Sequence, residues 1–517
     1  MKRNNIILLP IFALSLLFAL YGSVSLGAAE QPATEAEWRS KVDQELLDSI
    51  DQRGADQPIE FIVRIQNESQ DSISAAGTKE ERTKMVYSRL KQQAAESQAS
   101  LIEKLNDAGA ETRSFYIVNA VYVRGAGSLV STIAQRADVV HIHANPKVKL
   151  DVQAATSFPF IGTQAPNAPS TVEWGVEKIG APLVWSAGIT GTGVTIAGQD
   201  TGYHWEHPAL KAQYRGWDGA TADHNYNWHD AISGELNNND FNSCGYNLTE
   251  PCDDISSTHG THTMGTMIGE DGNNQIGVAP GADWIACRNM EEGYGTPATY
   301  IDSFEWFLAP TDLNGANPDP TKAPHVINNS WGCPPSEGCN TSNFDLMNTV
   351  VENLRAAGIV VVVSAGNSGS SCSSVSTPGA IFGGAFSVGA TAIGDTIAGF
   401  SSRGPVLVDG SNRMKPNVTA PGVSVRSARG TNSYGSLSGT SMAGPHVAGA
   451  VGLLISAHPP IAGQVEAIES YLEETAEFIG IGDCGGDEVF NNTFGHGRIN
   501  VNHAVQAVWD LDIIKTV

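Results

Sequence analysis

The sequence predicts an α/β fold with a doubly wound, mostly parallel sheet, preceded by a small α+β unit of ferredoxin-like order. Three observations carry this. From residue 172 onward, apolar stretches at 194–198, 284–287, 325–328, 359–364 and 386–389 alternate with helical patterns, as parallel strands joined by crossover helices do. The run Ile359-Val360-Val361-Val362-Val363 has no polar alternation, which fits a central strand buried on both faces. Ahead of these, residues 58–150 read in the order β-α-β-β-α-β.

The chain of 517 residues is too long for one ordinary domain. Residues 1–29 read as a secretory signal: Lys2 and Arg3 start it, an apolar run follows over 6–20, and small residues are frequent over 22–29. That run is shorter than the roughly 20 residues of a spanning helix, and no later segment is long and apolar enough to cross a bilayer. Residues 30–57 form a polar leader. Within 58–150 the expected elements are strands at 59–65, 113–119, 120–124 and 139–144, a long amphipathic helix at 79–108 closed by Gly109, and a short helix at 129–136. Residues 151–171, with their Pro, Gly, Ser and Thr, read as a linker that holds a maturation site. Residues 172–517 form the larger unit.

Composition narrows the function. Hydrophobic residues make up 41% of the chain, enough for a large core. The formal net charge of -25 argues against nucleic acid or an anionic membrane surface as partner. There are seven cysteines. In an exported protein an even subset can pair. Cys244 with Cys252 and Cys333 with Cys339 bracket short loops, Cys372 and Cys484 could form a third pair, and Cys287 sits in an apolar run as a buried thiol. None has metal-ligand spacing with nameable partners.

Three segments carry chemistry. Asp200-Thr201-Gly202 closes an apolar strand, where an acid is well placed to orient a base. His259-Gly260-Thr261-His262 opens a helix. Ser438-Gly439-Thr440-Ser441-Met442-Ala443-Gly444-Pro445-His446 puts a serine at the start of another. A serine hydroxyl is a weak nucleophile until a base takes its proton. The helix start offers N–H groups and a positive dipole end to a developing oxyanion. Pro445 is expected in the first helical turn, where its missing N–H costs nothing.

These segments resemble the Asp, His and Ser boxes of the subtilisin-like serine peptidases, in that family's order. Asp200-Thr201-Gly202-Tyr203-His204-Trp205 and the His259 segment look most like the bacillopeptidase F branch, and residues 58–150 resemble the family's inhibitory propeptide. The resemblance covers roughly 172–508. It implies a secreted serine endopeptidase acting on polypeptides, with Asp200, His259 and Ser441 as triad and the Asn367 side chain in the oxyanion hole. It further implies Ser330, Trp331 and Gly332 along the bound peptide, the chain's own propeptide as inhibitor and folding aid, and a monomer. Two neighbours depart from the pattern, Gln199 before the acid and Thr258 before the histidine. Calcium is frequent in relatives. Here the loop 270–275 after the histidine helix is short, which implies a weak or relocated site at most and no cofactor for the chemistry.

Other readings are weighed against this one. His262 and His446 read as packing residues. His259 and His262 lack a third ligand for a metal. Asp200-Thr201-Gly202 matches an aspartic peptidase motif, but such enzymes need two copies. An esterase using the same Ser441 would draw its base from His458 or His496, and Ala443 stands where its second Gly belongs. Sedolisin-type peptidases share the Gly-Thr-Ser box but use Glu in place of His. A catalytically silent binding module is the non-enzyme alternative.

Overall fold

The computed structural model describes residues 35–66, 77–150, 171–236, 242–254, 258–333 and 344–516. The signal segment and nearly all of the linker lie outside them. Among the described residues no helix is long and apolar enough to cross a membrane.

The N-terminal unit comprises α1 (Glu35–Arg39), α2 (Gln44–Arg53), β1 (Pro58–Ile65), α3 (Lys79–Asp107), β2 (Glu111–Phe115), β3 (Ala120–Ala126), α4 (Ser128–Ala134), β4 (Val139–Ala144) and β5 (Val148–Lys149). Its four-stranded antiparallel sheet has the order β2-β3-β1-β4. A capping box starts α3: Thr78 Oγ1 accepts from Glu81 N, and Glu81 Oε2 accepts from Thr78 N. Period-two alternation along β1 sends Phe61 and Val63 into a core with Leu101, Leu105, Val121 and Ile133, while Ile62 turns to the opposite face. The expected strand at 113–119 ends at Phe115. Residues 116–119 form a turn, in which Asn119 takes a positive φ of 49°. The polar leader is also structured, since Val42, Leu46 and Leu47 are buried in the core of this unit.

The larger unit holds β6 (Thr195–Asp200), β7 (Trp228–Asp230), α5 (His259–Ile268), β8 (Asp283–Arg288), β9 (Tyr294–Gly295), α6 (Pro297–Leu308), β10 (Val326–Asn329), α7 (Phe344–Ala356), β11 (Val360–Ser364), β12 (Phe386–Thr391), β13 (Val418–Pro421), β14 (Val425–Arg429), β15 (Ser433–Leu437), α8 (Thr440–Ala457) and α9 (Val501–Thr516). Seven strands form one parallel sheet in the order β13-β12-β11-β10-β6-β8-β7. Val360 and Val362 of β11 face a layer containing α5, α8 and α9, whereas Val361 and Val363 face α6 and α7. A strand covered on both sides must be apolar throughout, as the sequence of β11 is. The chain leaves β6 toward β8 and β7 on one side and later returns to β10 on the other. The carboxyl end of β6 is thus a topological switch point, where such sheets bind ligands. Asp200 sits there.

The two units dock through α3, the β2–β3 turn and α6. Lys79 Nζ donates to Ala323 O at 2.5 Å, Tyr116 OH to Glu305 O at 3.0 Å, and Ile117 N to Glu305 Oε2 at 3.0 Å. Arg113 pairs with Asp302.

Of the expected disulfides, Cys244–Cys252 and Cys372–Cys484 are formed, with Cα separations of 6.0 and 5.3 Å. Cys333 is disulfide-bonded, and its expected partner Cys339 lies outside the described residues. Cys287 is a buried free thiol.

Candidate active site

Three chain segments meet at the end of β6, and close approach requires glycine. A Cβ on Gly202, at φ +123°, would fall 1.9 Å from Cys252 O, and one on Gly260 would fall 2.2 Å from Gly202 O and 2.9 Å from Asp200 Cβ. The absence of both side chains lets the start of α5 rest against the acid-bearing turn. His259, the first residue of α5, places Nδ1 2.8 Å from Asp200 Oδ1, with both side chains only 1% exposed. Asp200 Oδ1 also accepts from Thr201 N at 2.8 Å. With Nδ1 held by the carboxylate, Nε2 is the nitrogen left to take up a proton. Burial pulls the His259 pKa down, but the charge of Asp200 and its hydrogen bond outweigh that, and the net shift is upward from 6.5.

Ser441 lies in the first turn of α8, packed among buried residues at 5% exposure. Its N–H is one of those a helix start leaves without an intrahelical acceptor. Pro445 corrects the sequence expectation. The helix begins at Thr440, so Pro445 stands inside it beyond the first turn. Its missing N–H leaves the Ser441 carbonyl without its i+4 donor. Ser330 Oγ supplies the replacement at 2.9 Å, and Ser441 Oγ donates in turn to Ser330 O at 3.1 Å. This reciprocal clasp ties the end of β10 to the serine. Ser441 Oγ thus points to Ser330 O rather than to His259. Such hydrogen bonds commonly tighten only when substrate is bound.

Asn367 follows β11. Its Oδ1 accepts from Thr440 N and Thr440 Oγ1, both at 2.9 Å, which fixes the side chain against the start of α8. Ser330, Trp331 and Gly332 continue from β10. The Trp331 indole stacks on Tyr300 with ring centroids 3.9 Å apart. The two departures from the family pattern gain a physical account. Gln199 is fully buried and links strand ends, donating to Asn329 Oδ1 at 2.6 Å and accepting from Asn289 Nδ2 at 2.8 Å. Thr258 takes a left-handed φ of 46° and offers α5 no side-chain cap.

Sequence reasoning missed Asp253. It caps α5 from outside, accepting from Thr261 N at 2.9 Å and Thr261 Oγ1 at 2.5 Å. Its other oxygen accepts from Thr201 Oγ1 at 2.8 Å and Asp254 N at 2.9 Å. Thr201 Oγ1 in turn accepts from Gly260 N at 3.1 Å. One buried carboxylate therefore couples the turn after the acid to the helix that bears the base. Burial pushes its pKa up to about 7 despite these donors. No signal in the sequence marks this, since Thr258 is a residue type that ordinarily caps a helix and only its left-handed backbone stops it from doing so. His262 and His446 are fully buried. His262 Nε2 lies 3.0 Å from Val425 O, and His446 Nδ1 lies 2.9 Å from Met442 O.

An Asp-His pair at the carboxyl end of a doubly wound parallel sheet, with a serine at the start of a helix packed on the histidine helix, is the arrangement of a serine hydrolase. Residues 191–497 match the Peptidase S8 subtilase family. Bacillopeptidase F of Bacillus subtilis (strain 168) is 38% identical over 453 residues, covering 85% of this chain and 30% of that protein. Subtilisin E of the same strain is 35% identical over 344 residues, covering 65% of this chain and 72% of its own length. The subtilisin of Bacillus pumilus is 34% identical over 342 residues, covering 65% of this chain and 99% of its own. The chain belongs to the subtilase family of serine endopeptidases.

Proposed function

We propose that the chain is the precursor of a secreted serine endopeptidase in which Ser441 is the nucleophile. The observation that carries this is the 2.8 Å contact of His259 Nδ1 with Asp200 Oδ1 at the carboxyl end of β6. In this reading Ser441 Oγ attacks the scissile carbonyl as its proton passes to His259 Nε2. Asp200 holds the imidazole tautomer and stabilises the cation. The Asn367 amide and the Ser441 N–H receive the oxyanion. His259 then protonates the leaving amine, the peptide bond breaks, and the acyl group stays on Ser441. Water enters, its oxygen attacks the acyl carbon as its proton passes to His259 Nε2, and the acyl–Oγ bond breaks as His259 returns that proton to Ser441 Oγ, which releases the acid. No metal takes part.

Polypeptide would add as a strand to β9 and pass Ser330, Trp331 and Gly332. The N-terminal unit gives support for this path. Its tail, β5, already pairs antiparallel with β9, Lys149 opposite Tyr294 and Val148 opposite Gly295, and Leu150 N donates to Gly293 O at 2.7 Å. Residues 58–150 thus act as inhibitor and folding aid, residues 1–29 direct export, self-cleavage falls within 151–169, and the mature enzyme works as a monomer. At the short loop after α5, both Asp271 oxygens already accept hydrogen bonds from Asn273, Asn274 and Tyr434. That supports a weak calcium site there at most.

N-terminal sequencing of the secreted protein tests the reading. The wild type is expected to begin within 151–169 and the Ser441→Ala variant to retain the N-terminal unit. A wild-type product that still begins near Glu30 would overturn it.

A further inference from the structure

Asp43, His141 and His143 lie outside the triad and take no part in it. Residues two apart on a strand share a face, so His141 and His143 of β4 stand side by side, ring centroids 4.6 Å apart. β4 is the edge of its sheet. The segment between α1 and α2 runs along this edge: Asp43 N donates to Ile142 O at 3.0 Å, and Ile142 N to Lys41 O at 2.7 Å. Asp43 Oδ1 is thereby held 2.8 Å from His141 Nε2. Its Oδ2 accepts from Ala144 N at 2.9 Å and lies 3.9 Å from His143 Nδ1. One ligand atom from each residue can be chosen so that all lie within 4.8 Å of one another.

His143 is the anomaly in this group. It is 0% exposed, and neither ring nitrogen has a hydrogen-bond partner. A buried polar atom without a partner is costly, and packing alone would be served better by an apolar side chain.

We propose that Asp43, His141 and His143 form a binding site for a divalent transition metal of the zinc class. Two imidazoles and one carboxylate suit zinc rather than calcium or magnesium, and three protein ligands leave a fourth position for water. The His141 side chain, 20% exposed, marks the side from which that water enters. Bonds of about 2.0–2.1 Å in tetrahedral geometry place ligand atoms roughly 3.3 Å apart. The present separations, 2.8 Å from Asp43 Oδ1 to His141 Nε2 and 3.9 Å from Asp43 Oδ2 to His143 Nδ1, use the two oxygens of one carboxylate, so small side-chain adjustments bring three donors to that spacing. The bound ion ties the segment ahead of α2 to β4. It does so close to where Arg64 of β1 pairs with Asp345 of α7, a contact between the two units. Metal binding therefore stiffens the N-terminal unit and its seat on the larger one.

The test uses the whole chain carrying Ser441→Ala, stripped of metal with a chelator and then titrated with Zn²⁺ alone by calorimetry. One equivalent is expected to bind in the micromolar range or tighter and to raise the melting temperature. Asp43→Asn and His143→Ala are each expected to weaken binding at least tenfold. His141→Ala, on the open side, leaves no enclosed cavity and keeps the test valid where His143→Ala does not fold. Absence of a stoichiometric site would overturn the proposal. So would affinity and melting shifts that persist in His141→Ala and Asp43→Asn.

Discussion

Replacing Asp253 by Ala disconnects the acid-bearing turn from the histidine helix. The backbone N–H groups of Asp254 and Thr261 lose their acceptor, at positions 2% and 0% exposed. The Thr201 and Thr261 hydroxyls can rotate to other partners, but the two N–H groups cannot. At about 1–3 kcal/mol for each buried orphan, the change costs about 2–6 kcal/mol, a large share of the roughly 5–15 kcal/mol that holds a domain folded. The first turn of α5 then relaxes, and His259 moves with it. A displacement near 1 Å costs about 10²-fold in rate, so kcat on a peptide amide is expected to fall about 10²-fold. KM should change little, because β9 and the 330–332 segment are untouched. Guanidinium unfolding in the Ser441→Ala background gives the stability loss without self-digestion, and active-site titration normalises kcat. A kcat within threefold of wild type together with an unchanged midpoint would refute the coupling.

Two further outcomes follow from the same geometry. In the proposed mechanism His259 must be neutral to accept a proton, and its pKa is raised, so activity should be lost as pH falls through a midpoint above 6.5; a kcat–pH profile with its acid limb below pH 6 would contradict this. Asn367→Asp keeps the acceptor for Thr440 N and Oγ1 but removes the amide donor, so the melting temperature should hold while kcat falls about 10²–10³-fold; equal losses in kcat and stability would mean that the amide serves packing only.

The parts of the fold legible in the sequence are those where one force dominates. The valines of β11 announce a strand buried on both faces, and the long amphipathic pattern closed by Gly109 announces α3. The two strands of the seven-stranded sheet that went unread, β7 and β13, are its edges. They are short, β7 carries His229 and Asp230, and β13 ends in Pro421, so neither apolar run nor alternation marks them. The structure within the leader was hidden for a related reason. α1 and α2 are polar overall, and only a few residues, Val42, Leu46 and Leu47 among them, reach the core. Asp200, His259, Ser441 and Asn367 stand out in the sequence because each sits in a motif of small residues that permits close approach. Asp253 does not, since its role depends on Thr201, distant in sequence, and on a helix whose own N-cap residue provides no cap. The clasp between Ser330 and Ser441 was equally hidden. It exists because Pro445 stands inside α8, a position that local pattern reading set in the first turn.

The most direct test of the account is covalent labelling by a fluorophosphonate probe. The matured wild type is expected to be labelled stoichiometrically at Ser441, His259→Ala far more slowly, and Ser441→Ala not at all. Matured protein that takes up no label, or a Ser441→Ala protein that still does, would contradict the assignment of Ser441 as nucleophile.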